Sequence, residues 1–201
     1  MIKPQRPSSF SRTLALMPPL MVLTVQVAEA DIYIKIGDSA GSNAIPGESK
    51  VVAHLNWIDA KTFQFGVTTS TTLALGGIQA GKAVGSDLVV TKNLDNSSPK
   101  LFLSCAQGAI QGVIQPKVTL ELTQKTGVDQ EEVLFYRITL TNVIVSSLVT
   151  AGITVGERPT ESVSFSYEKI TTEYYAPDSK GAFPPSPTST STWDFVTNSP
   201  K

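Results

Sequence analysis

The sequence is poor in the residues that most often do chemistry. Its 201 residues include one cysteine, Cys105, and one histidine, His54. A single thiol excludes an intramolecular disulfide and any cysteine-rich metal site. A Ser/His/Asp triad would have to recruit His54. No motif beside it marks a partner base, so His54 reads as a loop or strand-end residue rather than a catalytic one. A surplus of one charge is missing too. Sixteen basic and seventeen acidic residues give a net charge of −1. Nothing there advertises nucleic acid or anionic lipid, and a nearly neutral chain does little to oppose self-association.

What is present is Ser, Thr and Val in strand-like alternation, with few helix-period patterns. The length suits one domain plus extensions. Residues 1–30 carry Lys3, Arg6 and Arg12 ahead of a short apolar run over 14–25, then Ala28-Glu29-Ala30. That is the pattern of a cleavable export leader, with Asp31 as the mature start. The run is too short for a membrane span, and Pro18 and Pro19 would break one, so no stable membrane insertion is expected.

From Asp31 the character changes. Ile32, Ile34 and Ile36 alternate with Tyr33 and Lys35, which predicts a half-buried strand. Residues 37–49 are turn-rich. Phe63, Phe65 and Val67 alternate again, and 68–85 reads as a long Thr/Gly/Ala/Ser loop. One helix is predicted to start at Ser98-Pro99, with Ser98 capping the free amides and Pro99 at the first helical position. Its pairs Leu101/Cys105 and Phe102/Ala106 form the apolar stripe, and Gly108 is its stop. Cys105 is then a small core hydrophobe.

Three strands follow. Val118, Leu120 and Leu122 mark the first; Leu134, Tyr136, Ile138 and Leu140 mark the second. The second then changes parity to Val143 and Val145, which predicts a bulge or sharp bend near Asn142. The third changes parity between Val163, Phe165 and Tyr167 and the later Ile170. Bent strands around one helix favour a small closed antiparallel β-barrel with a flanking α-helix. The domain would run over 31–175. Residues 176–201, rich in Pro, Ser and Thr, read as a loosely ordered tail anchored by Trp193.

The stretch GGIQAGKA, residues 76–83, invites a nucleotide reading through Gly76, Gly81 and Lys82. A phosphate-binding loop needs Ser or Thr next, to hold magnesium, and a helix after that, whose amides cradle the phosphates. Ala83 has no ligand atom, and strand composition follows. No nucleotide or other cofactor is expected. Glu131-Glu132 read as a solvated hairpin end, because paired catalytic carboxylates need a cleft and shifted pKa values. Asp31 and Asp38 lack metal-ligand spacing. No catalytic and no metal-binding residue is expected.

One set of residues is specific. Asp87, Leu88, Thr91, Lys92, Asp95, Ser98, Pro99 and Leu101 fall on the D-L-x-x-T-K-x-x-D-x-x-[ST]-P-x-L signature of the Hcp (haemolysin-coregulated protein) family of type VI secretion systems. The chain resembles that family, in order, from residue 31 to 198. The shared features are the opening strand, Gly47-Glu48-Ser49, His54, Ile58, Phe63, Phe65, Gly66, two late strands and Trp193-Asp194. The thirty leading residues and the insertion SNAIP before Gly47 are departures. The resemblance implies a structural tube protein and not an enzyme. It implies a homo-hexamer, six copies in a ring and rings stacked into a tube. The tube is expelled from the cytoplasm with the sheath and spike of the machine and carries small effectors in its lumen. It also places the segment holding Gly76, Gly77, Gly81 and Lys82 near ring–ring contacts. A second reading, from the leader, is a Sec-exported relative acting as a periplasmic or secreted binding or effector protein.

Overall fold

A computed structural model of the chain describes residues 30–37, 44–111, 114–126, 131–152, 156 and 158–201. All but the last residue of the leader therefore lie outside the described residues, as does Asp38. The strands are β1 (Ala30–Ile36), β2 (Ile58–Gln64), β3 (Val67–Ala74), β4 (Gly77–Gly85) and β5 (Leu88–Asn93). Helix α1 (Ser98–Gln111) follows. Then come β6 (Gln115–Thr126), β7 (Glu131–Ala151), β8 (Thr160–Tyr174), β9 (Ser189–Asp194) and β10 (Ser199–Pro200).

Strands β8, β5, β2, β1, β6 and β7 pair in that order, and β7 pairs again with β8. Six strands thus close on themselves, all antiparallel. The predicted barrel is the observed one. Its interior holds Ile34, Ile36, Val118, Leu120, Ile138, Leu140, Val143, Val145, Val163 and Phe165 from the alternation read in the sequence, together with Leu88 and Val90 of β5, all almost completely buried. Each such side chain contributes roughly 1.5–3 kcal/mol of apolar burial.

The parity change has a simple geometry. Asn142 has a left-handed backbone, φ 54°. The pairs Thr141 with Lys169 and Val143 with Tyr167 flank it without any slip, so Asn142 lies opposite Glu168. Its Nδ2 donates to Glu168 Oε2 at 2.6 Å. The two longest strands therefore turn their apolar faces together, which keeps Leu140 and Val143 on one side with Ile170 and Phe165. A register shift does occur, between Val145 and Ser147, just past the bend.

The helix needs three corrections. Leu101, Ser104 and Gly108 face the barrel, and Cys105 is half-buried against the core, but Phe102, Leu103 and Ala106 are exposed. Gly108 is no stop, since the helix continues to Gln111. A side chain there would meet Ile144 Cγ2 at 3.1 Å, so Gly108 sets how closely α1 rests on β7. The Ser98 hydroxyl does not cap the helix amides. It accepts from the Asp95 amide at 3.1 Å and donates to Glu161 Oε1 at 2.8 Å.

Two segments expected to be irregular are strands. Residues 68–85 form the hairpin β3–β4, a separate two-stranded sheet. Neither of its faces meets a core, so no alternation of apolar and polar residues betrays it; β3 is Thr-rich, but β4 is mostly Gly and Ala and is held as a strand by pairing with β3. Within 176–201, β9 pairs with the later half of β8 and β10 with β9. Trp193 and Phe195 pack against the core there. Ladder hydrogen bonds along β8 order a composition that by itself suggests looseness.

Candidate assembly surface

Buried polar groups hold the scaffold in place. Lys92 is 1% exposed. Its Nζ donates to Glu161 Oε1 at 2.7 Å, Asp95 Oδ1 at 2.8 Å and the Asn93 carbonyl at 2.8 Å. Asp95 Oδ1 also accepts the Ser97 amide at 2.8 Å. The signature residues Lys92, Asp95 and Ser98 thus tie β5 and the start of α1 to Glu161 on β8. An ammonium this deep is tolerated only because two carboxylates and hydrogen bonds satisfy it.

On the outer side of β1, Tyr33 stacks on His54 with ring centroids 4.1 Å apart, and Trp57 meets His54 edge-on. His54 Nε2 is 2.8 Å from Glu121 Oε2, and Arg137 Nε donates to Glu121 Oε1 at 2.7 Å. Arg137 continues to Glu173 and the Tyr175 hydroxyl. Burial pushes the Glu121 carboxyl up, but the bonds from His54 and Arg137 outweigh it and hold Glu121 below the usual carboxylate range. Burial, then Asp31 and Glu132, push the Tyr33 phenol well above its ordinary value. Its hydroxyl donates to Glu132 at 3.1 Å, so Glu132 is half-buried beside Tyr33 and only Glu131 of that pair is exposed. His54 thus lies in the connection between β1 and β2, as a loop residue, but it is a buried clamp there. Its hydrogen-bond partner Glu121, 67 positions away, left no local signal. Among the described residues no group of three or more His, Cys, Asp or Glu side chains could hold a metal ion.

The Gly47-Glu48-Ser49 turn is dictated by a close approach. A side chain at Gly47 would collide with the Trp57 carbonyl and come within 2.5 Å of Ile58 Cα. The backbone there donates from Gly47 to Asn56 and from Ser49 to Trp57. Glu48 reaches over to accept the Asn96 amide at 2.9 Å, joining this turn to the approach of α1.

The exposed apolar surface lies elsewhere. Hairpin β3–β4 turns through Leu75 and Gly76, with Ala74 paired to Gly77. Leu73 is 86% and Ile78 75% exposed, and Leu75 is fully so. Gly77 needs its glycine, with φ +104°, whereas nothing lies near a side chain built at Gly76. Gly81 sits across from Ser70, whose hydroxyl fills the place of its missing side chain. Lys82 is exposed on β4. At the hairpin's root, Gly85 lies under the Phe195 ring and the Ala83 amide donates to Asn198 Oδ1 at 3.0 Å. The hairpin is thus rooted on the β9–β10 turn and carries its apolar residues outward at its tip. A strand follows it, so helix amides for a phosphate are lacking.

These features define a class: a small closed antiparallel barrel, braced by buried ion pairs, that displays bare apolar side chains on a projecting hairpin. The chain belongs to the Hcp family of type VI secretion proteins. The family profile described as "Type VI secretion system effector, Hcp" matches residues 33–174. Protein hcp1 of Pseudomonas aeruginosa is 34% identical over 153 residues, 76% of this chain and 87% of that protein. A solved structure described as a type six secretion system protein superposes with a TM-score of 0.72 at 34% identity, covering 86% of this chain and all of that one. Hcp1 of Salmonella typhimurium superposes at 0.64 with 25% identity, over 86% of this chain and 99% of the other. Among the described residues no helix is long and apolar enough to cross a membrane.

Proposed function

We propose that the protein is a structural tube subunit of a type VI secretion system. Six copies close head-to-tail into a ring, rings stack, and the lumen carries small effectors as the tube is driven out with its sheath and spike. Function then lies in shape and surface rather than in any reacting group. The observation that carries this reading is the projecting hairpin. Leu73, Leu75 and Ile78 touch nothing in their own barrel that would bury them, and an adjacent ring supplies such a surface. Gly77 shapes the turn, Gly81 admits the opposite strand, and exposed Lys82 adds a charge beside the stacking contact. Electron microscopy of the purified protein, with light scattering across a wide concentration range, tests it. Hollow rings support it; a strict monomer throughout sinks it.

The leader pattern favours a second reading, in which a Sec-exported form acts outside the tube as a binding or effector protein. Export that survives loss of the type VI apparatus, with a mature start at Asp31, would select it.

A further inference from the structure

The place where the leader pattern puts its cut coincides with a place the barrel needs. Ala30 pairs with Gln124 and Asp31 with Thr123 on β6. The Asp31 carboxylate is 3.2 Å from Lys125 Nζ. Pairing on the β2 side begins only at Ile32, so the first two residues are held from one edge. Tyr33, two positions on, is held on every side: 4% exposed, stacked on His54 and bonded to Glu132. A peptidase takes residues on both sides of its target bond as an extended segment in its own cleft. To reach the bond between Ala30 and Asp31, it must strip Asp31, Ile32 and Tyr33 from the wall.

We propose that folding and leader removal exclude each other in this chain, so that their order decides which of two products forms. A chain that meets a leader peptidase unfolded is hydrolysed. One water adds across the C–N bond, leaving a carboxylate on Ala30 and an amine on Asp31, and the barrel then closes from Asp31. A chain whose barrel closes first keeps residues 1–30 as a covalent extension at the outer end of β1. Fraying of Ala30 and Asp31 alone does not rescue cleavage, because Tyr33 anchors the segment. The inference rests on reading residues 1–30 as an export leader, and it is independent of ring formation.

The test uses the full-length chain made by cell-free translation and a detergent-solubilised leader peptidase. The enzyme is present during synthesis in one arm and is added after release and folding in the other. Mass spectrometry should find a start at Asp31 in the first arm, and cleavage about 100-fold slower in the second, where only rare openings expose the bond. Leu120→Asp supplies the control. Leu120 is fully buried and pairs with Ile34, so this variant stays unfolded and should be cut after release as fast as the nascent chain. Equal rates for the natural chain in both arms overturn the proposal, as does resistance of Leu120→Asp after release. No cleavage in any arm overturns the leader reading beneath it.

Discussion

At the scale of single residues, the buried charges matter most. Lys92→Ala leaves Glu161 buried with its cation gone and should destabilise the barrel by about 3–5 kcal/mol. Urea unfolding would show this as a lower midpoint at unchanged slope. Phe165→Ala truncates a side chain that is 1% exposed and should lose about 3–5 kcal/mol in the same assay. Glu121 sets a pH dependence. Its folded pKa lies below its unfolded one. Its contribution is therefore present above the ordinary carboxylate value of about 4.3 and lost as the pH falls below it. Thermal midpoints between pH 6 and 3 should fall less steeply in Glu121→Gln, whose midpoint is already lower at pH 6. Lys92, Asp95 and Ser98 were legible as a spaced signature, yet their purpose was not, because Glu161 lies 63 residues beyond Ser98. Local rules therefore assigned Ser98 to capping.

At the scale of elements, alternation succeeds wherever one face of a strand is buried. It placed Ile34, Leu120 and Ile138 inward, and it located the bend at Asn142 from the parity of valines. It is silent where burial does not sort the two faces, which is why the β3–β4 hairpin read as a loop. The observed hairpin makes a sharper expectation than a loop does. Replacing Leu73, Leu75 and Ile78 together by Ser should change unfolding stability by less than about 0.5 kcal/mol per site, because exposed positions contribute little. The same variant should still form rings but lose stacked tubes in electron micrographs. Loss of folding would instead place the hairpin within the barrel's own core. The helix teaches a related lesson. Phe102 and Leu101 are equally apolar in sequence, but only the face carrying Leu101, Ser104 and Gly108 meets β7, and tertiary contact alone distinguishes them.

At the scale of the whole molecule, the barrel is closed except where one strand serves two neighbours. Along one edge β8 bonds to β7 throughout; along the other, residues 160–165 bond to β5 and residues 169–174 to β9. Without β9, the later half of β8 would show a run of open amides and carbonyls beside Trp193's vacated place. During synthesis that half emerges before residues 189–194 do. Until they arrive, the nascent molecule has an uncapped edge, the kind of surface on which strands from other chains settle and aggregates begin. The Pro-, Ser- and Thr-rich segment from 176 to 188 is then a tether whose length sets how long that exposure lasts. The strand it delivers covers that edge, which lets folded monomers accumulate without pairing through it.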